Sequence, residues 1–308
     1  MVHTAKKKKE MLVINGRRMR MDFPLVIIYI LLGIMGFSCL LPLINMVAIS
    51  FSDASAVNAG AVALWPIKPT LAAYEHLVKE GVFFNSFFIS VKRVILRVPL
   101  CLFMQIMMAF PLSRSEKHFR IRGKIMIYYI IPLLFGGGLI PSFLINKTLG
   151  FYNNFWVLII PGCLDIWGGI QMMNFFRNIP REMDEAAFID GAGPWALLVR
   201  VYLPMSIASI ATFTLFCMVG TWNEWFTGVI YFTRVERYPL QTYLNALNLK
   251  MQTLSDTSDI EAILARAKLN GMNFNAAKIV LATVPILVVY PLLQRHFTKG
   301  IVVGALKE

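Results

Sequence analysis

The sequence predicts an all-α integral membrane protein with six transmembrane helices and a cytoplasmic elbow between helices four and five. Three observations predict it. Of 308 residues, 57% are hydrophobic and only 15% charged, where a soluble domain carries roughly 25% charged residues, and the mean hydropathy is +0.63. Six apolar runs approach or exceed the ~20 residues that a helix needs to cross a bilayer. Lys and Arg number 30 against 17 Asp and Glu, a net charge of +13, and the excess is unevenly distributed. A soluble cytoplasmic enzyme is excluded.

The first run, 24–49, follows a basic segment, 1–23, that contains Lys6 to Lys9, Arg17, Arg18 and Arg20. It is far longer than the ~7 to 15 apolar residues of a cleavable signal, so it is expected to remain as an anchor. The second run, 82–112, is unusual in carrying Lys92, Arg93 and Arg97. The third covers 125–145, the fourth 154–176 with Asp165 inside it, the fifth 201–223 and the sixth 276–294. Pro42, Pro132, Pro161, Pro285 and the run Gly136 to Gly138 would break helices in water but are tolerated in membrane helices that pack on neighbours. The resulting division is an N-terminal segment 1–23, a transmembrane domain 24–297 with an outer loop 231–275, and a tail 298–308.

Six helices put both termini on one side, and the basic residues say which. With the N-terminus inside, the segments 1–22, 113–124, 177–200 and 294–308 carry eighteen Lys and Arg, the outside segments 51–81, 146–153 and 231–275 carry eight, and Lys92, Arg93, Arg97 and Lys278 fall in spans. The positive-inside rule therefore places both termini in the cytoplasm. Trp222, Trp225, Phe226, Tyr231 and Phe232 are then expected to form an aromatic belt at the outer interface. The same rule accounts for the basic excess without nucleic acid.

Cys39, Cys101, Cys163 and Cys217 each sit in an apolar segment without C-x-x-C spacing and read as small core residues. His3, His76, His118 and His296 show no metal spacing, which argues against a metal site. No G-x-x-x-x-G-K-[ST] phosphate loop is present, and Gly136 to Gly138 suits helix packing better than nucleotide binding.

The most informative stretch is 178–204. Pro180 suits a helix start, Glu182, Asp184 and Glu185 favour its positive end, and Gly191 allows a left-handed stop, so a short helix is expected to finish near Asp190. Pro194 starts a second helix at an angle. The small Ala186 and Ala187 permit close approach by another surface; a helix lying along the membrane is the alternative. Segment 231–275 has amphipathic character around 259–269, which suits either a receiving surface for a partner or a solvated helix.

The stretch resembles the E-A-A loop of ABC importer permeases, a pattern of E-A-A, three residues, G, nine residues and I-x-L-P. Glu185, Ala186, Ala187, Gly191, Leu203 and Pro204 match in spacing, with Val201 in place of Ile the departure. Gly137-Gly-Leu-Ile-Pro-Ser142, Leu149-Gly150, Asn174-Phe-Phe-Arg-Asn-Ile-Pro180 and Trp222-Asn-Glu-Trp-Phe226 are similar to the carbohydrate-uptake class, and to its branch for complex oligosaccharides and polysaccharide fragments. The tail from Gln294 to Lys307 resembles that of one permease in each heterodimeric pair.

The resemblance implies a non-enzymatic pore subunit of a bacterial cell membrane, assembled with a second homologous permease, two cytoplasmic ATPase subunits and an extracellular or periplasmic sugar-binding protein. ATP and Mg would bind the ATPases, with no cofactor in this chain. Glu185, Ala186, Ala187, Asp190, Gly191, Leu203 and Pro204 would form the ATPase-coupling loop. Arg93, Arg97, Trp222, Asn223 and Glu224 are the candidate substrate-path residues, since charges in a span must face protein or water. Two readings of the cations stay open: a cationic wall for acidic or heavily hydroxylated saccharides, or outward-reaching Lys92 and Arg93 with Arg97 paired to Asp165 or Glu224. An ion-coupled carrier, which would show paired repeats and buried acids, a permease for a non-sugar solute and a membrane hydrolase are the competing functions.

Overall fold

The computed structural model describes residues 11–14, 17–20, 23–79, 81–116, 118–255 and 272–305. The Lys6 to Lys9 run and the amphipathic stretch 259–269 lie outside them. Among the described residues, apart from one antiparallel strand pair, β1 (Met11–Ile14) with β2 (Arg17–Arg20), the regular elements are helical. The pair falls in the basic segment that precedes the first apolar run. Two compact units result, Met1–Ala73 with Gly271–Val280, and Tyr74–Asn270 with Leu281–Glu308.

In the first unit, α1 (Phe23–Ser50) is a continuous 28-residue helix that carries Pro42 inside it. Its apolar side chains, from Ile27 to Val47, are largely exposed, Cys39 among them. The loop beyond it is tied back by polar side chains. Asn45 Nδ2 donates to Ala63 O, Ser52 Oγ accepts from Ile67 N at 3.0 Å, and Asp53 caps α2 (Ala54–Asn58) by accepting from Ser55 N. Asn273 Nδ2 donates to Ser52 O at 3.2 Å, and the buried Lys278 holds its ammonium 3.7 Å from the Phe274 ring centroid.

After α3 (Ala72–Lys79), the second unit is organised by α4 (Gly81–Ser113), 33 residues and therefore about 50 Å long at 1.5 Å per residue. Phe83, Ser86, Ser90, Arg93, Cys101, Gln105, Met108 and Leu112 are buried along it at three- and four-residue spacing, so one helical stripe is both core and polar. Against it pack α7 (Ile166–Arg177) and α11 (Ile207–Asn223). Met108, Leu112, Met172, Phe176, Tyr202 and Phe213 form the main apolar cluster. Gly169 brings α7 close to α4, since a Cβ there would stand 2.7 Å from Met108 Sδ. A smaller cluster gathers Val157, Leu158, Tyr231 and Phe232.

Two helices among the described residues are long and apolar enough to cross a membrane alone, Pro24–Ser50 and Gly81–Ser113; two bent pairs raise the number to four. The run 125–145 is not one helix. It divides into α5 (Arg122–Leu134) and α6 (Leu139–Thr148), bent by 112°, because Gly136 to Gly138 break it and Gly138 adopts φ +82°. The run 154–176 is also not one helix: a 3-10 turn (Phe155–Leu158) leads into an irregular stretch through Pro161 and Gly162, and only α7, 12 residues or about 18 Å, is helical.

The fifth run departs in the same way. The short α9 (Pro194–Leu197), a π turn (Leu198–Tyr202) and α10 (Leu203–Met205) bend by 81° into α11, where Pro204 lacks an N–H to continue the ladder. After it come α12 (Phe226–Tyr231), a 3-10 turn (Val235–Arg237) and α13 (Leu240–Ser255), which is pinned to α4 by Leu240 N donating to Ser90 Oγ at 2.8 Å. The last helix, α14 (Met272–Ala305), runs through Pro285 and Pro291 and through most of the stretch expected to be a separate tail, 298–308.

Candidate functional site

Polar groups gather at two places along α4. The first is a cavity of ≈ 220 Å³ between α4, α7 and α11, lined in part by Arg93, Arg97, Gln105, Asp165, Trp167, Phe216 and Glu224. Arg93 is 2% exposed. Its Nη2 ion-pairs with Glu224 Oε2, Nη1 donates to Glu224 O at 3.0 Å and Nε to Leu158 O at 3.3 Å. Glu224 also accepts from Thr227 N through Oε1 at 2.7 Å.

Arg97 has a different set of partners. Nη1 donates to the carbonyls of Leu158, Ile159 and Pro161, and Nη2 to that of Gly162, at 2.9 to 3.3 Å. These carbonyls belong to the irregular stretch where the fourth apolar run lacks a helix. Backbone carbonyls buried outside a helix need protein partners or water, and Arg97 is that partner. Arg93 therefore does not reach outward, and Arg97 does not pair with Asp165 or Glu224. The spacing of the sequence put both arginines on one face but could not show that the fourth run is broken opposite them. Lys92 lies 4.7 Å from the Phe155 ring centroid.

Of the remaining candidate path residues, Trp222 is 3% exposed and faces away from the cavity, its Nε1 donating to Ala282 O at 3.0 Å. Asn223 is exposed and does not line the cavity. The expected aromatic belt is correspondingly split: Trp225 and Phe226 are exposed, while Trp222, Tyr231 and Phe232 are buried, the indole of Trp222 and the hydroxyl of Tyr231 on hydrogen-bond partners and Phe232 in the smaller apolar cluster.

The second place is the elbow. The helix α8 (Arg181–Ile189) begins directly after Pro180, with Glu182 and Asp184 in its first turn, and ends at Asp190 with Gly191 at φ +75°. Glu185, Ala186, Asp190, Gly191 and Pro204 are exposed, while Ala187 and Leu203 rest on the main apolar cluster. Ile189 and Trp195 project, 87% and 66% exposed. Sequence reasoning missed what holds this helix. Asp184 ion-pairs with Arg114, one residue past α4, and accepts from Tyr202 Oη at 3.0 Å. The Arg114 guanidinium lies 4.5 Å from the Phe110 centroid and 4.3 Å from that of Tyr202. His118 stacks on Phe188 with centroids 6.0 Å apart. Asp184 was legible only as a helix-end charge, because its partner lies 70 residues away.

No group of three or more His, Cys, Asp or Glu suited to a metal ion occurs among the described residues. Cys101 and Cys217 are free and both line the cavity.

Residues 81–303 match the family described as binding-protein-dependent transport system inner membrane component. The chain belongs to that family. It is a membrane-integral permease, a pore subunit and not an enzyme. Among its relatives, the polygalacturonan/rhamnogalacturonan transport system permease protein YtcP of Bacillus subtilis (strain 168) is 31% identical over 282 residues, 92% of this chain and 97% of that one. Protein LplC of the same organism is 33% identical over 276 residues, 90% and 92% of the two chains. A crystal structure of a bacterial ABC transporter involved in the import of the acidic polysaccharide alginate includes a chain that superposes with TM-score 0.77 at 28% identity, covering 88% of this chain and 95% of that one.

Proposed function

We propose that this permease forms half of the translocation pathway of an ATP-driven importer of oligosaccharides derived from polysaccharides. The substrate class rests on relatives whose names refer to polygalacturonan, rhamnogalacturonan and alginate. Six crossings put both termini in the cytoplasm of a bacterial cell, with the third, fourth and fifth crossings broken. The partners are a second homologous permease, two ATPase subunits that hold ATP and Mg, and a sugar-binding protein outside the membrane. Arg93, Arg97 and Glu224 face the path.

The observation that carries the coupling role is the form of the elbow. A nine-residue helix ends at Gly191, presents Ile189 outward, and is fixed at Asp184 to both the end of α4 and the foot of the α11 segment. Glu185, Ala186, Ala187, Asp190, Gly191, Leu203 and Pro204 form the docking element. Closure of the ATPase pair pushes on α8, and rigid-body movement of the helices alternates access. ATP must favour one arrangement over the other, and the elbow carries that difference.

Purification of the chain from its native membrane tests the assembly: an ATPase and a second permease are expected to accompany it, and their absence contradicts the reading. Cysteine probes at Ser115 and Ser255 test the topology. The first is expected to label from the cytoplasm and the second from outside; labelling from one side contradicts six crossings.

A further inference from the structure

The loop that follows α1 turns back along the helix it leaves. Asn45, one turn and a half before the end of α1, donates from Nδ2 to the carbonyls of Val62 and Ala63. Ser52 Oγ accepts from Ile67 N at 3.0 Å and donates to Ala48 O at 2.7 Å, and Ile67 O accepts from Asp53 N at 3.2 Å. The piece between these ties, 62–67, is therefore fastened at both ends, and Thr70 N adds a bond to Phe51 O at 2.8 Å. Its sequence, Val62-Ala-Leu-Trp-Pro-Ile67, contains no charged, amide or hydroxyl side chain. Leu64, Trp65 and Ile67 are nonetheless exposed, Trp65 at 81%. A fastened loop that holds apolar groups outward marks a contact surface.

The helix shows what that surface meets. From Phe23 to Ile44, α1 has no charged or amide side chain, and that length, about 33 Å at 1.5 Å per residue, matches a hydrocarbon core of about 30 Å. Asn45 is the first amide, and there the surroundings of α1 change: the apolar side chains from Ile27 to Ile44 are largely exposed, whereas Ala48 and Ser50 are buried. The bare length ends at the residue that holds Val62 and Ala63, and the cover supplied by the chain's own loop begins. With the bare length in the hydrocarbon, Asn45 stands at its boundary and 62–67 lies level with the lipid headgroups. Tryptophan favours that layer, because its ring is apolar and its one N–H still needs an acceptor. The exposed Lys68 follows directly, a cation within reach of lipid phosphate.

We propose that residues 62–67 anchor α1 in the interfacial layer of the bilayer, with the Trp65 indole among headgroups and upper acyl chains. The whole of α1 is about 42 Å long, more than the core requires, so its length alone does not fix its depth. Trp65 fixes it at one end, and Arg17, Arg18 and Arg20 precede the other. The inference requires that α1 cross the bilayer and is independent of what the transporter carries.

The test uses the assembled transporter in phospholipid nanodiscs, with Trp65→Cys carrying a nitrobenzoxadiazole label; the same complex with Trp65 intact, labelled alike, is subtracted as background. Lipid with a nitroxide at carbon 5 is expected to quench the label about twofold or more above lipid with a nitroxide at carbon 12, and iodide to quench it about threefold less than a label at Asn58→Cys, an exposed position of α2. Iodide quenching equal to that at position 58 places the loop in water and overturns the anchor. Stronger quenching from carbon 12 overturns the interfacial depth. A label that none of the three reaches is covered by protein, the second permease or the binding protein, and overturns the anchor equally. The unlabelled complex gives a check free of the probe: lipid brominated near the headgroup is expected to quench intrinsic emission more with Trp65 than in Trp65→Phe, and equal quenching overturns the assignment. Cys39, exposed within α1, tests the crossing itself. A membrane-impermeant maleimide is expected to leave it unmodified, and modification overturns the crossing and the anchor with it.

Discussion

Midway along α4, Arg93 is held by the carboxylate of Glu224 and Arg97 by four main-chain carbonyls, while just past its C-terminal end Arg114 sits between two aromatic rings and an acid from α8. The three arginines serve different ends. Arg93 neutralises a charge in the middle of an apolar segment, Arg97 satisfies a stretch of backbone that has no helix, and Arg114 ties one element to another across an exposed surface. Burial sets the difference in consequence. The Arg93 side chain is 3% exposed, where losing a partner leaves a charge stranded, whereas the Arg114 pair lies nearer solvent, with side chains 13% and 19% exposed. The middle of α4 thus relies on a deeply buried pair, and its C-terminal end on a pair nearer solvent.

The sharpest way to break this contrast is Arg93→Met. It leaves the Glu224 carboxylate without its cation, and the expected loss is about 3 kcal/mol, at the low end for a buried pair because the Glu224 side chain is 32% exposed. Thermal unfolding of the purified complex measures it. The double change Arg93→Met with Glu224→Met is expected to recover most of the loss; an additive effect would show that the pair is not the cause. Arg97→Gln comes next, at about 2 kcal/mol, because an amide keeps some donors but cannot serve four carbonyls. No acid is stranded, so the complex still assembles, and a loss equal to that of Arg93→Met would contradict the separation of the two roles.

At the elbow the expected stability effects are smaller and the functional effects larger. Asp184→Asn removes the charge that Arg114 and Tyr202 converge on and is expected to cost about 1 to 2 kcal/mol, as for a charge-assisted hydrogen bond near the surface. Transport per ATP hydrolysed is expected to fall further than this loss of stability alone would cause, and wild-type coupling in the variant would remove the clasp from the mechanism. Gly191→Leu is the mildest for stability. No atom lies within 4 Å of the added Cβ, so only the φ of +75° resists it, at about 1 kcal/mol. Uptake and binding-protein-stimulated ATP hydrolysis should both fall as the elbow loses alignment.

What the sequence made legible follows the same division. The elbow is local: Pro180, the acids after it, Gly191 and Pro194 fall within one short stretch, and each acts on its immediate backbone, so helix start, stop and restart could be read in order. The cavity is not local. Arg93 meets Glu224 across 131 residues and Arg97 meets Gly162 across 65, and no periodicity within one segment states which segment it faces. The first and second apolar runs became single helices, since their prolines cost one hydrogen bond that packing or a neighbour replaces. The third and fourth became broken ones because Gly136 to Gly138 and the Pro161-Gly162 pair remove helical preference at consecutive positions. Hydropathy registers the apolar length of such a run and not its break. Gln105 escaped notice for a related reason: its partner Asp165 lies 60 residues away, on another element.

The most direct test is uptake into proteoliposomes that hold the full complex, with labelled oligogalacturonate and its binding protein outside and ATP with Mg inside. Uptake is expected to require hydrolysable ATP, to continue when ionophores collapse ion gradients, and to decline with Asp184→Asn at unchanged complex content. Uptake without ATP that ionophores abolish would contradict the permease mechanism argued from the elbow.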